Sequence, residues 1–98
     1  MPGSGPTDRD GNSRLGVAAS TYRLLAEALA KESIASVRID KRGMFGSAAA
    51  IADANAVTID DYAQDMHAWT VAISQRTRAR CMWALGHSAD GFIALQAA

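Results

Sequence analysis

The first helical pattern of the chain follows a polar opening loop. Apolar side chains recur there at intervals of three or four residues: Tyr22, Leu25 and Leu29. Residues at this spacing fall on one face of a helix. Ser20 or Thr21 can accept the free amide hydrogens of the first turn. The pattern therefore predicts a helix over residues 21–32.

A longer helical pattern occupies the middle of the chain. Five apolar residues, three or four positions apart, define its face: Ile59, Tyr62, Met66, Trp69 and Ile73. Thr58 can cap the first turn, and Asp61 completes an approximate capping box with it. We expect a helix from Thr58 to about Gln75, with the apolar stripe packed against a core.

Two apolar runs have the character of strands. "IASVRID", residues 34–40, is rich in β-branched residues, and "CMWALG", residues 81–86, is a continuous apolar run typical of a buried parallel strand. "ADGFIALQAA", residues 89–98, is compatible with a helix, and residues 41–57 form a loop that contains a short turn. The order helix, strand, helix, strand, turn, helix predicts an α/β fold with parallel strands.

Composition narrows the class of protein. The 98 residues suffice for one small domain, and ten basic and ten acidic residues balance, which disfavours nucleic acid and membrane surfaces as partners. No apolar run is long enough to span a bilayer, and the polar opening lacks the features of a signal peptide, so we expect a cytoplasmic protein. Cys81, the only cysteine, is expected to be a buried hydrophobe.

The segment "GHSADG", residues 86–91, joins the second predicted strand to the last predicted helix. A serine on such a turn projects its hydroxyl from the strand end, beside the free amide groups of a helix N-terminus. The common pattern is G-x-S-x-G; here Asp90 takes the place of the second glycine, and Gly91 follows. We therefore expect a side chain at a point where close packing favours none.

Three segments together carry a family resemblance: "PGSGPTDRDGNS", "RIDKRGMFGS" and "LGHSADG". With these segments, the chain resembles the α/β-hydrolase superfamily, and within it the serine aminopeptidases and lysophospholipase-like esterases. The resemblance implies that residues 1–98 are the N-terminal and middle part of one hydrolase domain. It also implies an oxyanion loop over residues 1–16 and a nucleophile elbow over residues 86–91.

The same resemblance assigns roles to single residues. Ser88 matches the nucleophile that attacks an ester or amide substrate, and the backbone N–H groups of Ala89 and Ser4 match the oxyanion donors. His87 matches a position that packs or hydrogen-bonds near the elbow and is not the general base. No cofactor or metal is implied.

The base and the acid of a catalytic triad have no candidates in this sequence. No histidine follows Ser88, and His67 lies about 120° from the apolar stripe of its helix, where it faces solvent. The family's central strand would precede Met1, so the predicted strands keep unpaired edges. We therefore expect a fragment that is inactive alone and that self-associates through these edges.

Two other hypotheses compete with an inactive hydrolase fragment. One is a non-catalytic α/β interaction module derived from a hydrolase scaffold, and another is a chain whose acid and base come from a separate polypeptide. Lys41 and Arg42 could contact an anionic substrate, but a solvated turn or an ion pair with Asp40 or Asp53 is the favoured interpretation.

Overall fold

Three α-helices form the regular part of the molecule. In the computed structural model, which describes residues 1–3 and 5–98 (residue 54 by its backbone only), α1 spans Thr21–Lys31, α2 spans Ile59–Thr77 and α3 spans Ala89–Ala97. Short 3₁₀ turns lie at Phe45–Ser47 and Ala54–Ala56. The three predicted helices are confirmed.

The predicted α/β fold with parallel strands is wrong. Among the described residues the β contacts are two isolated antiparallel bridges, Thr7 with Ser13 and Ser13 with Val17. Residues 34–40 and 81–86 are not helical and do not pair with one another. An apolar, β-branched run favours a strand, but the strand forms only when a neighbouring backbone supplies the ladder hydrogen bonds.

The two unpaired segments leave apolar side chains in solvent. Trp83 is 95% exposed, and Ile34, Val37 and Leu85 are each more than half exposed. Cys81 is exposed as well, so its expected burial is wrong. These side chains would be covered if the segments were packed between layers, and here they are not.

The N-terminus of α1 is capped by the opening loop. Ser20 has a left-handed backbone with φ 52° and makes no capping bond with its side chain, so the expected cap is wrong. The carbonyl of Asp10 instead accepts from the amides of Tyr22 and Arg23, at 3.1 and 3.4 Å. The loop thereby satisfies two of the amides that a helix start leaves free.

Helix α2 begins with the capping box that its sequence predicts. The Thr58 hydroxyl accepts from the Asp61 amide at 3.2 Å, and the Asp61 carboxylate accepts from the Thr58 amide at 2.7 Å. Helix α2 packs against α3, and the buried apolar residues of the two helices are Ala63, Met66 and Ile93. This packing fixes the position of α3 and of the turn that precedes it.

Two ion pairs link the opening loop to residues 38–40. Arg9 donates to Asp40 through its backbone amide, Nε and Nη2, at 2.7, 3.0 and 2.6 Å, and Arg38 pairs with Asp10. Burial alone would raise the pKa of Asp40, but the bonds from Arg9 and from the Gly46 amide lower it below its ordinary 3.8.

Candidate nucleophile site

Ser88 occupies a strained turn at the N-terminus of α3. Its φ of 57° and ψ of −126° lie in a region that non-glycine residues rarely adopt. Two hydrogen bonds hold the turn: the Asp90 amide donates to the His87 carbonyl at 3.1 Å, and the Gly91 amide donates to the Ser88 carbonyl at 3.0 Å. Ser88 itself is exposed.

The turn closes tightly because residue 86 is a glycine. A Cβ at Gly86 would overlap the carbonyl group of Asp90 and would lie 2.6 Å from the Gly91 nitrogen. The side chain of Asp90 does not block this approach, because it is Asp90's backbone that faces Gly86. The expected conflict at the second glycine position is therefore absent.

One of the expected oxyanion donors can be located. Ala89 is the first residue of α3, and within the described part of the chain its N–H has no acceptor, as is usual at a helix start. Ser4 lies outside the described residues. Its neighbour Gly3 is buried against the turn: a Cβ at Gly3 would lie 2.9 Å from the His87 carbonyl oxygen and 3.1 Å from the Ser88 Cβ.

A cavity of about 320 Å³ opens beside Ser88. It lies between the opening loop, the start of α1 and the turn, and its lining residues are Gly3, Thr7, Gly11, Val17, Thr21, Tyr22, His87 and Ser88. Its volume is at the lower end of the range typical of small-molecule pockets. The exposed serine thus adjoins a cavity of small-molecule size.

His87 is engaged with α1. Its Nδ1 lies 2.8 Å from the Tyr22 hydroxyl, and the two rings meet edge to face at 5.9 Å between centroids. The hydroxyl can donate to Nδ1 or accept from it, depending on the tautomer. His87 therefore hydrogen-bonds near the turn, as the sequence led us to expect.

The side chain of Asp90 lies in a buried site with Lys41. The two residues are 2% and 4% exposed, and Lys41 Nζ lies 3.9 Å from Asp90 Oδ2. Burial raises the pKa of Asp90 above 3.8, although the positive charge of Lys41 opposes the shift. The interpretation of Lys41 as part of a solvated turn, or as a partner of Asp40 or Asp53, is wrong.

Arg42 turns the other way, toward α2. Its Nε and Nη2 donate to the two carboxylate oxygens of Asp65, at 2.6 and 2.5 Å, and Asp61 lies 3.6 Å from Nη1. Neither Lys41 nor Arg42 lines the cavity beside Ser88. No local pattern in the sequence indicates these partners, because Asp61 and Asp65 lie about 20 residues farther along the chain.

Among the residues that the structure describes, neither histidine is arranged as the base of a triad with Ser88. The chain has two histidines, and His67 is exposed on α2 while His87 is bonded to Tyr22. In the part of the chain that the structure describes, no group of three His, Cys, Asp or Glu side chains could hold a metal ion. No helix there is long and apolar enough to cross a membrane.

Comparison with known families places the chain in the α/β-hydrolase superfamily. The family model described as "Serine aminopeptidase, S33" matches residues 12–98. The chain belongs to this family. Neither a search of curated proteins nor a search of solved structures gave a significant match.

Proposed function

We propose that Ser88 is the nucleophile of a hydrolase domain that cleaves ester or amide bonds through an acyl-serine intermediate. One observation carries this proposal: Ser88 sits on a strained turn at the start of α3, exposed and beside a cavity. Strained backbone persists where the surrounding structure enforces it, and it concentrates at functional sites. The family match covers this turn.

The chemistry follows from the atoms present at the turn. Ser88 Oγ attacks the substrate carbonyl carbon and loses its proton to a base, while the carbonyl oxygen becomes an oxyanion. The Ala89 N–H, at the positive end of the α3 dipole, stabilises this oxyanion. Collapse of the intermediate expels the alcohol or amine with a proton, and water then hydrolyses the acyl-serine.

The chain by itself should perform this reaction slowly. A serine hydroxyl is a weak nucleophile until a base removes its proton. Among the described residues no imidazole oriented by a carboxylate lies beside Ser88, since His87 is bonded to Tyr22. We expect turnover only when a base is supplied, by solution or by a separate polypeptide.

A fluorophosphonate probe with added imidazole tests this proposal. Ser88 Oγ attacks the phosphorus and expels fluoride, and imidazole accepts the hydroxyl proton. Since a general base contributes about 10²–10⁴-fold, we expect imidazole to raise the labelling rate at least about tenfold. Intact-mass spectrometry measures the rate without any assumption about the natural substrate.

Two serine variants make the result specific. Ser88→Ala should abolish the imidazole-dependent labelling. Ser33→Ala is the matched control, because Ser33 is also exposed with a positive φ of 61° but follows the end of α1 and does not line the cavity. Equal labelling of wild type and Ser88→Ala would refute the nucleophile, and fast labelling without imidazole would refute the need for an added base.

The exposed apolar segments favour a second function, self-association as an interaction module. Trp83 and Leu85 project from residues 81–86, and the backbone of Met1 bonds on either side of Gly86: its amino group donates to Leu85 and its carbonyl accepts from His87. Met1 thus occupies the Leu85 carbonyl and the His87 amide, while the apolar side chains beside them stay exposed. A second copy of the chain could cover these side chains.

Sedimentation across a concentration series tests self-association. We expect a dimer or larger species that Trp83→Asp dissociates. Leu15→Asp is the matched control, because Leu15 is 82% exposed but belongs to the opening loop. A wild-type chain that stays monomeric at every concentration would exclude this function.

A further inference from the structure

Lys41 is a buried ammonium that contacts three separate parts of the molecule. Its Nζ donates to the Gly3 carbonyl at 2.7 Å, lies 3.9 Å from Asp90 Oδ2 in α3, and stands 5.4 Å from the centroid of the Tyr62 ring in α2. At 4% exposure it is among the most buried residues of the described chain. An ammonium in such a place is costly unless its partners compensate.

The contacts of Lys41 indicate that it positions Gly3 and does not form a tight ion pair with Asp90. Asp90 Oδ2 is buried without a hydrogen-bond partner within the described residues, so the pair is a distant one and not a tight salt bridge. The short bond of Lys41 goes instead to the Gly3 carbonyl. The carboxylate of Asp90 and the face of Tyr62 balance the charge while the ammonium holds Gly3.

Gly3 is the residue whose position matters for Ser88. Its backbone lies so close to the turn that an added Cβ would crowd both the His87 carbonyl and the Ser88 Cβ. Gly3 also lines the cavity beside Ser88. A displacement of Gly3 would therefore change both the wall of the cavity and the surroundings of the nucleophile.

We infer that Lys41 is a positioning residue, which fixes Gly3 against the Ser88 turn and thereby sets the reactivity of Ser88. The first part concerns geometry alone, and the second part rests on the proposed function. Misplacement by about 1 Å can lower a rate about 100-fold. Loss of Lys41 should therefore reduce imidazole-dependent labelling of Ser88 by about 10- to 100-fold.

Backbone dynamics test the geometric part without any activity. In wild type, ¹⁵N relaxation of the Gly3 amide should give an order parameter of about 0.85, and in Lys41→Met the order parameter should fall below about 0.6. Lys31→Met is the matched control, since it makes the same chemical change at an exposed site in α1. An unchanged Gly3 amide in Lys41→Met would overturn the inference.

Further variants separate positioning from loss of folding. Lys41→Met removes the larger of the positive charges near the buried Asp90 carboxylate and leaves the N-terminal ammonium of Met1 as the next. Lys41→Met/Asp90→Asn removes the carboxylate charge as well and so relieves the penalty of burying it. We expect this double variant to fold and yet to show the mobile Gly3 and the slow labelling. Normal Gly3 dynamics and normal labelling in the double variant would contradict a role for Lys41.

Chemical rescue provides the sharpest readout. Lys41→Cys in a Cys81→Ser background can be alkylated with bromoethylamine in urea and refolded, which restores an ammonium at nearly the same position. Alkylation with bromopropane gives a neutral chain of similar length. Aminoethylation should restore labelling to within about threefold of the Cys81→Ser parent and propylation should not; equal rates for the two adducts would overturn the inference.

The outcomes distinguish this inference from the function on which it rests. If wild type shows no labelling that depends on Ser88 but Lys41→Met mobilises Gly3, the proposed function fails and the geometric role stands. If wild type is labelled at Ser88 and Lys41→Met is labelled equally fast, the positioning role fails and the function stands.

Discussion

Replacing Gly86 by alanine should open the turn that presents Ser88. The added Cβ would overlap the carbonyl group of Asp90 and approach the Gly91 nitrogen to 2.6 Å. These are backbone atoms in the first turn of α3, so no side-chain rotation can relieve the contact. The backbone must shift instead, either at the turn or along α3.

The loss of stability in Gly86→Ala can be estimated because the added Cβ clashes with backbone atoms. Overpacking of a fixed interior costs about 1–3 kcal/mol, and a clash with backbone belongs at the upper end. A loss of about 3 kcal/mol lowers the folding equilibrium constant about 100-fold and, in a domain of this size, lowers Tm by more than about 10 °C.

Gly91→Ala is the matched control for this experiment. A Cβ at Gly91 would meet the Gly86 carbonyl oxygen at 3.4 Å, an ordinary contact, and alanine favours a helix over glycine by about 0.8–1.0 kcal/mol. The two variants add the same methyl group on either side of one contact. In urea unfolding monitored by circular dichroism, Gly86→Ala should destabilise the fold and Gly91→Ala should stabilise it. Equal stabilities would refute the close approach at the turn.

Three further predictions concern stability. Because the pKa of Asp40 is lowered in the folded state, its carboxylate adds to the free energy of unfolding above pH 3.8, and this contribution is lost as the pH falls below 3.8. Acid should therefore destabilise Asp40→Asn less than it destabilises wild type. The pKa of Asp90 is raised in the folded state, so its contribution to the free energy of unfolding is present below pH 3.8 and is lost as the pH rises. Asp90→Asn should not show this loss of stability with rising pH. Unfolding curves from pH 2 to pH 7 measure the effect of both substitutions. Thr58→Ala should cost about 1 kcal/mol by removing the capping box of α2, and an unchanged urea midpoint would contradict that role.

The helices could be predicted from the sequence because their determinants are local. The spacing of Tyr22, Leu25 and Leu29 is sufficient for α1, and Thr58 with Asp61 fixes the start of α2. These patterns involve residues within one or two turns of each other.

The strands could not be predicted in the same way. Residues 34–40 and 81–86 have the composition of strands, but pairing depends on a distant backbone that composition does not specify. The same holds for Ser20, whose expected capping role is taken by the Asp10 carbonyl. At these positions the structure depends on contacts between remote segments and not on the local propensity for a strand or a helix cap.

In the candidate site, too, the local features could be predicted from the sequence and the long-range contacts could not. Gly86 and Ser88 are separated in sequence only by His87, so the strained geometry at Ser88 could be expected from "GHSADG". The contact of Lys41 with Gly3 and Asp90 joins residues about 40 to 50 positions apart, and no spacing pattern indicates it. Long-range contacts of buried charges became visible only in the folded molecule.

The most direct test of the central claim is to map the residue that carries the phosphonyl group. After labelling with a fluorophosphonate in the presence of imidazole, proteolysis and tandem mass spectrometry should locate the adduct on Ser88. An adduct distributed over other serines such as Ser33, with Ser88 unmodified, would contradict the assignment of Ser88 as the nucleophile.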